Sequence, residues 1–77
     1  DYVNLKVTLY PNPVQNIITI SGIKEKATIQ IYNNIGAKVL EKEFTGETKL
    51  EIDLPSGIYY AKIDSSDKSV VKKILIE

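Results

Sequence analysis

Four kinds of side chain in this 77-residue sequence could do chemistry, and each lacks the company that chemistry needs. Ser56, Ser65, Ser66 and Ser69 carry hydroxyls, but the chain has no His and no Cys. A hydroxyl nucleophile needs a base beside it, and no Lys stands at a recognisable Ser/Lys spacing. These serines suit turns and strand ends, where their hydroxyls bond the local backbone. Asp64 and Asp67 could supply oxygen to Ca²⁺, yet a four-residue loop offers fewer ligands than that ion takes, so turn chemistry is the simpler reading. Glu41, Glu43, Glu51 and Asp53 read as the solvated faces of two neighbouring strands, with Lys42 and Lys49 offsetting their repulsion. Tyr32 and Tyr60 on exposed faces could stack a sugar ring, although amphipathic tyrosines are ordinary on strands. Disulfides, zinc sites of the usual type and thiol chemistry are excluded by composition. We expect no enzyme, no cofactor and no metal.

Ten lysines and no arginine balance ten acidic residues, so the formal net charge is +0. No basic field exists to hold nucleic acid. No apolar run approaches the ~20 residues that span a bilayer. The start has no signal-peptide pattern, and its first residue is Asp1 rather than Met, from which we expect a piece of a longer chain. A hydrophobic fraction of 43% supports a packed core in a single domain. A chain of this length should be only marginally stable, by roughly 3–6 kcal/mol.

The elements that position these groups read as strands. Apolar and polar residues alternate at Ala27, Ile29 and Ile31 against Thr28, Gln30 and Tyr32. They alternate again at Leu50, Ile52 and Leu54 against Lys49, Glu51 and Asp53. Residues 7–9 make a short first strand. Residues 17–20 are apolar on both faces, which suits an interior strand. Residues 38–44 are rich in charge and belong near an edge. Residues 58–63 and 69–76 complete a set of about seven strands, the pattern of an antiparallel β-sandwich. Gly22 closes the second strand. Asn33-Asn34-Ile35-Gly36, Thr45-Gly46-Glu47 and Asp64-Ser65-Ser66-Asp67 are turns.

Three segments stand out. Tyr10-Pro11-Asn12-Pro13 can neither start a helix cleanly nor sit inside a sheet, so it is a stiff link between two strands. Leu54-Pro55-Ser56-Gly57-Ile58-Tyr59 is a strand end, a tight crossing and a new strand. Tyr59 is placed to send its hydroxyl back to the crossing, as in immunoglobulin-type sandwiches. If it faces inward, Ala61 and Ile63 share its side, while Tyr60 and Lys62 face out. The last strand, with Lys72-Lys73-Ile74-Leu75-Ile76, is apolar on both faces and carries one lysine on each. It is either a central strand with lysines reaching the rim, or an edge strand presented to a receptor.

Leu9-Tyr10-Pro11-Asn12-Pro13, Ile31-Tyr32-Asn33 with Gly36 and Val39, Leu54 to Tyr59, and the lysine-bearing end come in a specific order. In that order the chain resembles the type A C-terminal sorting domain of the type IX (Por) secretion system of Bacteroidota. The resemblance runs from about Val7 to Glu77. It implies an immunoglobulin-like sandwich without chemistry of its own. It also implies an upstream cargo domain, passage through the periplasm, recognition by outer-membrane secretion components, and removal by a sortase-like peptidase. The cargo would then be held at the cell surface or released. On this reading residues 1–5 end a linker and residues 6–77 are the sorting domain. Lys72, Lys73, Ile74, Leu75 and Ile76 would be recognised, while Tyr10, Pro11, Asn12, Pro13, Gly36, Pro55, Gly57 and Tyr59 shape the fold. The terminal Glu77 departs from the basic or neutral ending of many members. An exposed edge at residues 74–76 would also allow a dimer. The alternative function is a β-sandwich carbohydrate-binding or spacer module of an extracellular enzyme, with Tyr32 and Tyr60 as contacts.

Overall fold

The computed structural model describes residues 6–66 and 68–77. The expected linker end at residues 1–5, and Asp67 of the last turn, lie outside the described residues. Seven strands follow one another: β1 (Thr8–Tyr10), β2 (Ile17–Ser21), β3 (Lys26–Tyr32), β4 (Lys38–Thr45), β5 (Thr48–Glu51), β6 (Gly57–Ser65) and β7 (Lys68–Ile76). They form a three-stranded sheet in the order β1-β2-β5 and a four-stranded sheet in the order β4-β3-β6-β7. Every paired neighbour is antiparallel. This is the all-β antiparallel sandwich expected from the alternation, in the immunoglobulin-like form that the family resemblance implies.

The alternation becomes the core directly. Ala27, Ile29 and Ile31 of β3 are buried, as are Tyr59, Ala61 and Ile63 of β6. Ile29 lies directly across from Ile63, so the two central strands of the larger sheet meet through branched side chains. Ile18 and Ile20 of β2 close the core from the smaller sheet. Each fully buried isoleucine contributes on the order of 1.5–3 kcal/mol.

The chain departs from the sequence reading in four places. The first strand forms one residue later than expected, with Val7 buried just before it. The fifth strand stops at Glu51, short of the expected Leu54; Ile52 makes one more bond in the same register, its N–H donating to the Asn16 carbonyl at 2.7 Å. Strands β4 and β5, expected to be neighbours, sit in different sheets, and the chain changes sheet at Gly46. The acidic residues of β4 therefore find other partners. Glu43 meets Lys26 at 3.6 Å and Glu41 meets Lys38 at 2.7 Å, rather than Lys42 or Lys49. The Lys38 ammonium holds the Glu41 carboxyl below its usual range.

The fourth departure concerns Gly22, which does more than close β2. Its φ is +106°, and a Cβ there would stand 2.6 Å from the Lys6 carbonyl oxygen. The backbones of residues 6 and 22 touch, and only glycine permits both the approach and the angle. At the far end of β6 the Ser65 hydroxyl donates to the Lys26 carbonyl at 3.0 Å, tying β6 to the start of β3.

Candidate functional site

The turns after β1, β3 and β5 and the end of β7 all lie at one end of the sandwich. The register requires it: Gly57 is opposite Ile76, Tyr32 is opposite Tyr60, and Val14 bridges Ile76. The four motif segments, scattered through the sequence, thus gather at one end of the sandwich, where the proline segment and the crossing before β6 meet the end of β7.

The crossing before β6 is pinned by Tyr59, whose buried ring sends its hydroxyl to the Pro55 carbonyl at 2.7 Å. Gly57, at φ +152°, turns the chain into β6 under that bond. Tyr59→Phe leaves the carbonyl without its partner and should cost about 1–2 kcal/mol, read as a lower urea midpoint with unchanged slope. An unchanged midpoint would mean that water replaces the bond fully. The turn after β3 is held by Asn33, whose side-chain oxygen accepts from Ile35 N–H at 3.1 Å and Ala37 N–H at 2.9 Å. Gly36 completes that turn with its N–H on the Asn33 carbonyl at 3.0 Å.

The proline segment is more than a stiff link. It leaves the smaller sheet and straps the outer edge of β7. Val14 is fully buried; its N–H donates to the Leu75 carbonyl at 2.7 Å, and its carbonyl accepts from Glu77 N–H at 2.8 Å. The Asn12 side-chain oxygen accepts from Leu75 N–H at 3.1 Å. Pro11 and Pro13 flank these contacts, both after cis peptide bonds. Tyr10 reaches the Glu47 carboxylate at 3.3 Å; desolvation, with that carboxylate adding to it, raises the pKa of its hydroxyl.

β7 is an edge strand, not a central one. Its two faces divide the residues expected to be recognised. Ile74 and Ile76, each 1% exposed, are core. Leu75 and Lys73 stand on the outer face, and Lys72 lies on the core-facing side yet remains exposed. Its counterpart on the other edge strand is Lys42, also exposed. An inward-pointing lysine on each outer strand discourages pairing with stray strands. The edge at residues 74–76, expected to invite a dimer, is covered by Asn12 and Val14.

The outer face beside β7 is unusually apolar. Ile58 is opposite Leu75, Tyr60 is opposite Lys73 and Lys62 is opposite Val71, and all four of these hydrophobic residues are exposed. Sequence reading named Tyr60 only as a sugar contact and missed Ile58, Val71 and Val14. Alternation along β6 does place Ile58 on the face opposite Tyr59, so that signal was available. Tyr32 sits directly across from Tyr60, with its hydroxyl occupied by the Gln30 side chain at 3.1 Å. Among the described residues no group of three or more Asp or Glu side chains comes together to hold a metal ion. No helix there is long and apolar enough to cross a membrane.

The geometry defines an immunoglobulin-like β-sandwich whose marked feature is a strapped edge strand rather than a cleft. Residues 8–77 match the family model of the secretion system C-terminal sorting domain, and the chain belongs to that family. The family is one of sorting signals in Por (type IX) secretion, so this domain is a C-terminal secretion sorting signal that marks protein for export toward the cell surface or beyond. A solved structure of PorZ, an essential surface component of the type IX secretion system of Porphyromonas gingivalis, has the same fold with a TM-score of 0.73 at 21% identity. The likeness covers 92% of this chain and 11% of that one, so the chain spans about a tenth of PorZ. A search of curated proteins found no match. The family match does not favour the carbohydrate-binding or spacer alternative.

Proposed function

We propose that this domain carries an upstream cargo through the periplasm to the outer-membrane machinery of type IX secretion. A sortase-like peptidase then removes it, leaving the cargo on the surface or in the medium. The domain performs no catalysis; it is a folded address. The observation that supports this reading is the gathering of all four family segments at the end of the sandwich where β7 finishes, two of them in direct contact with that strand. Of the five residues 72–76, Lys72, Lys73 and Leu75 are the exposed side chains that a receptor can touch, while Ile74 and Ile76 hold the strand in place.

The test is a reporter fused ahead of residues 1–77 in a bacterium with the type IX system, with the signal located in periplasm, surface and medium. Removing residues 72–77 is the wrong perturbation. It strips Ile74 and Ile76 from the core and unfolds the domain. Lys72→Ala with Lys73→Ala is the right one. Both lysines are exposed and free of ion pairs among the described residues, so stability should change by no more than about 0.5 kcal/mol. Export should fall sharply. Unchanged export from the folded double variant would sink the role given to the lysines. A wild-type reporter that never leaves the periplasm would sink the sorting role for this chain.

A further inference from the structure

We propose that the uncapped part of the β7 edge, at Ser69, Val71 and Lys73, receives an extended acidic segment of the export machinery as a fifth strand of the larger sheet. This rests on the sorting reading above. The ladder settles which groups are free. Leu75 turns its N–H and carbonyl away from β6, toward Asn12 and Val14. Residues alternate in an antiparallel ladder, so Lys73, Val71 and Ser69 turn theirs the same way. No hydrogen bond from a described residue reaches them. The strap ends at Asn12, and no described residue caps the edge beyond it.

Two observations say what fits there. The first is that this edge already accepts a chain: the Val14–Ile76 bridge is a parallel strand contact on the same side of β7. An incoming strand would continue a docking surface that the domain itself uses. The second is charge. Lys72 and Lys73 point to opposite faces, and neither is in an ion pair among the described residues. A strand laid along the edge would pass between two ammonium groups, one on each face. Acidic side chains at neighbouring positions answer both. Val71, 59% exposed on the outer face, offers an apolar contact next to Lys73. A second copy of this chain fits less well, since it would bring two more lysines to the same seam, and like charges across a strand pair repel. Backbone bonds would supply affinity and the lysines selectivity, as in other strand-addition recognition.

The decisive variant is Val71→Pro. It removes an N–H that points outward and is not needed by the fold, and proline is tolerated on an edge strand in that orientation. The fused reporter, with melting of the purified chain as the fold check, reads the result. Wild type exported and folded Val71→Pro retained in the periplasm is the expected outcome. Folded Val71→Pro exported like wild type overturns strand addition and leaves sorting intact. A wild-type domain that is not exported overturns the sorting reading itself. If Val71→Pro does not fold, Lys72→Glu with Lys73→Glu carries the test. It keeps the ladder and should abolish export, and normal export would overturn an acidic partner. Sedimentation that finds a wild-type dimer, broken by either variant, would overturn the proposal in favour of a second copy.

Discussion

Ile63→Ala should lower the unfolding free energy by about 2–5 kcal/mol, enough to leave much of the chain unfolded at room temperature. Ile63 is fully buried at the centre of the larger sheet, opposite Ile29 on β3 and Val70 on β7. Truncation removes the transfer energy of the side chain and leaves a void that its neighbours, fixed in two ladders, cannot fill by collapse. Ile63→Val removes one methylene and should cost only about 0.5–1.5 kcal/mol. Urea unfolding followed by circular dichroism measures both. If the alanine variant keeps the wild-type midpoint, the sheets can close over the gap, and the core is looser than its burial implies.

Gly22→Ala should cost about 2–4 kcal/mol, from two sources that act together. A residue with a Cβ is strained at φ +106°, and the added carbon meets the Lys6 carbonyl oxygen at 2.6 Å. The collision is with backbone, so no side chain can swing aside. Residues 6 and 7 must move, which pulls buried Val7 out of the core. Gly36 is the control. Its φ is +92°, but no atom lies within 4 Å of its added carbon, so alanine there bears only the conformational strain. Equal melting temperatures for the two variants would mean that the approach of residue 6 to residue 22 does not matter to the fold.

Much of this arrangement was legible in the sequence. Alternation placed the core residues of β3 and β6, and the Gly57–Tyr59 spacing placed a hydroxyl bond to the crossing. What was hidden has a common cause: period-two patterns report on local faces, not on which distant segments meet. Val14 stands alone between Pro13 and Gln15, and nothing periodic marks it as the anchor of a strap. Gly22 reads as punctuation, because its tight contact is with backbone sixteen positions away. In β7 the pattern itself was ambiguous. Both faces are apolar, and Lys72 shares the inward side with Ile74. The ambiguity disappears only in three dimensions, where four strands face three and the rims of the larger sheet stay wet. The recognised set named from sequence was therefore a mixture of surface and scaffold.

The strap joins Asn12 to Leu75, positions 63 apart in the chain. Closing so long a loop costs chain entropy that the contact alone cannot offset, so it depends on the rest of the packed sandwich. The end of β7 therefore takes its final shape only when both extremes of the sandwich have met. A receptor that reads this strand, as proposed above, would be checking that folding is complete. A half-folded chain exposes the same residues, but not on a clamped, straight edge, and so presents an address that cannot be read. Quality control and targeting would then be one event, carried by a few hydrogen bonds between the opening prolines and the closing strand.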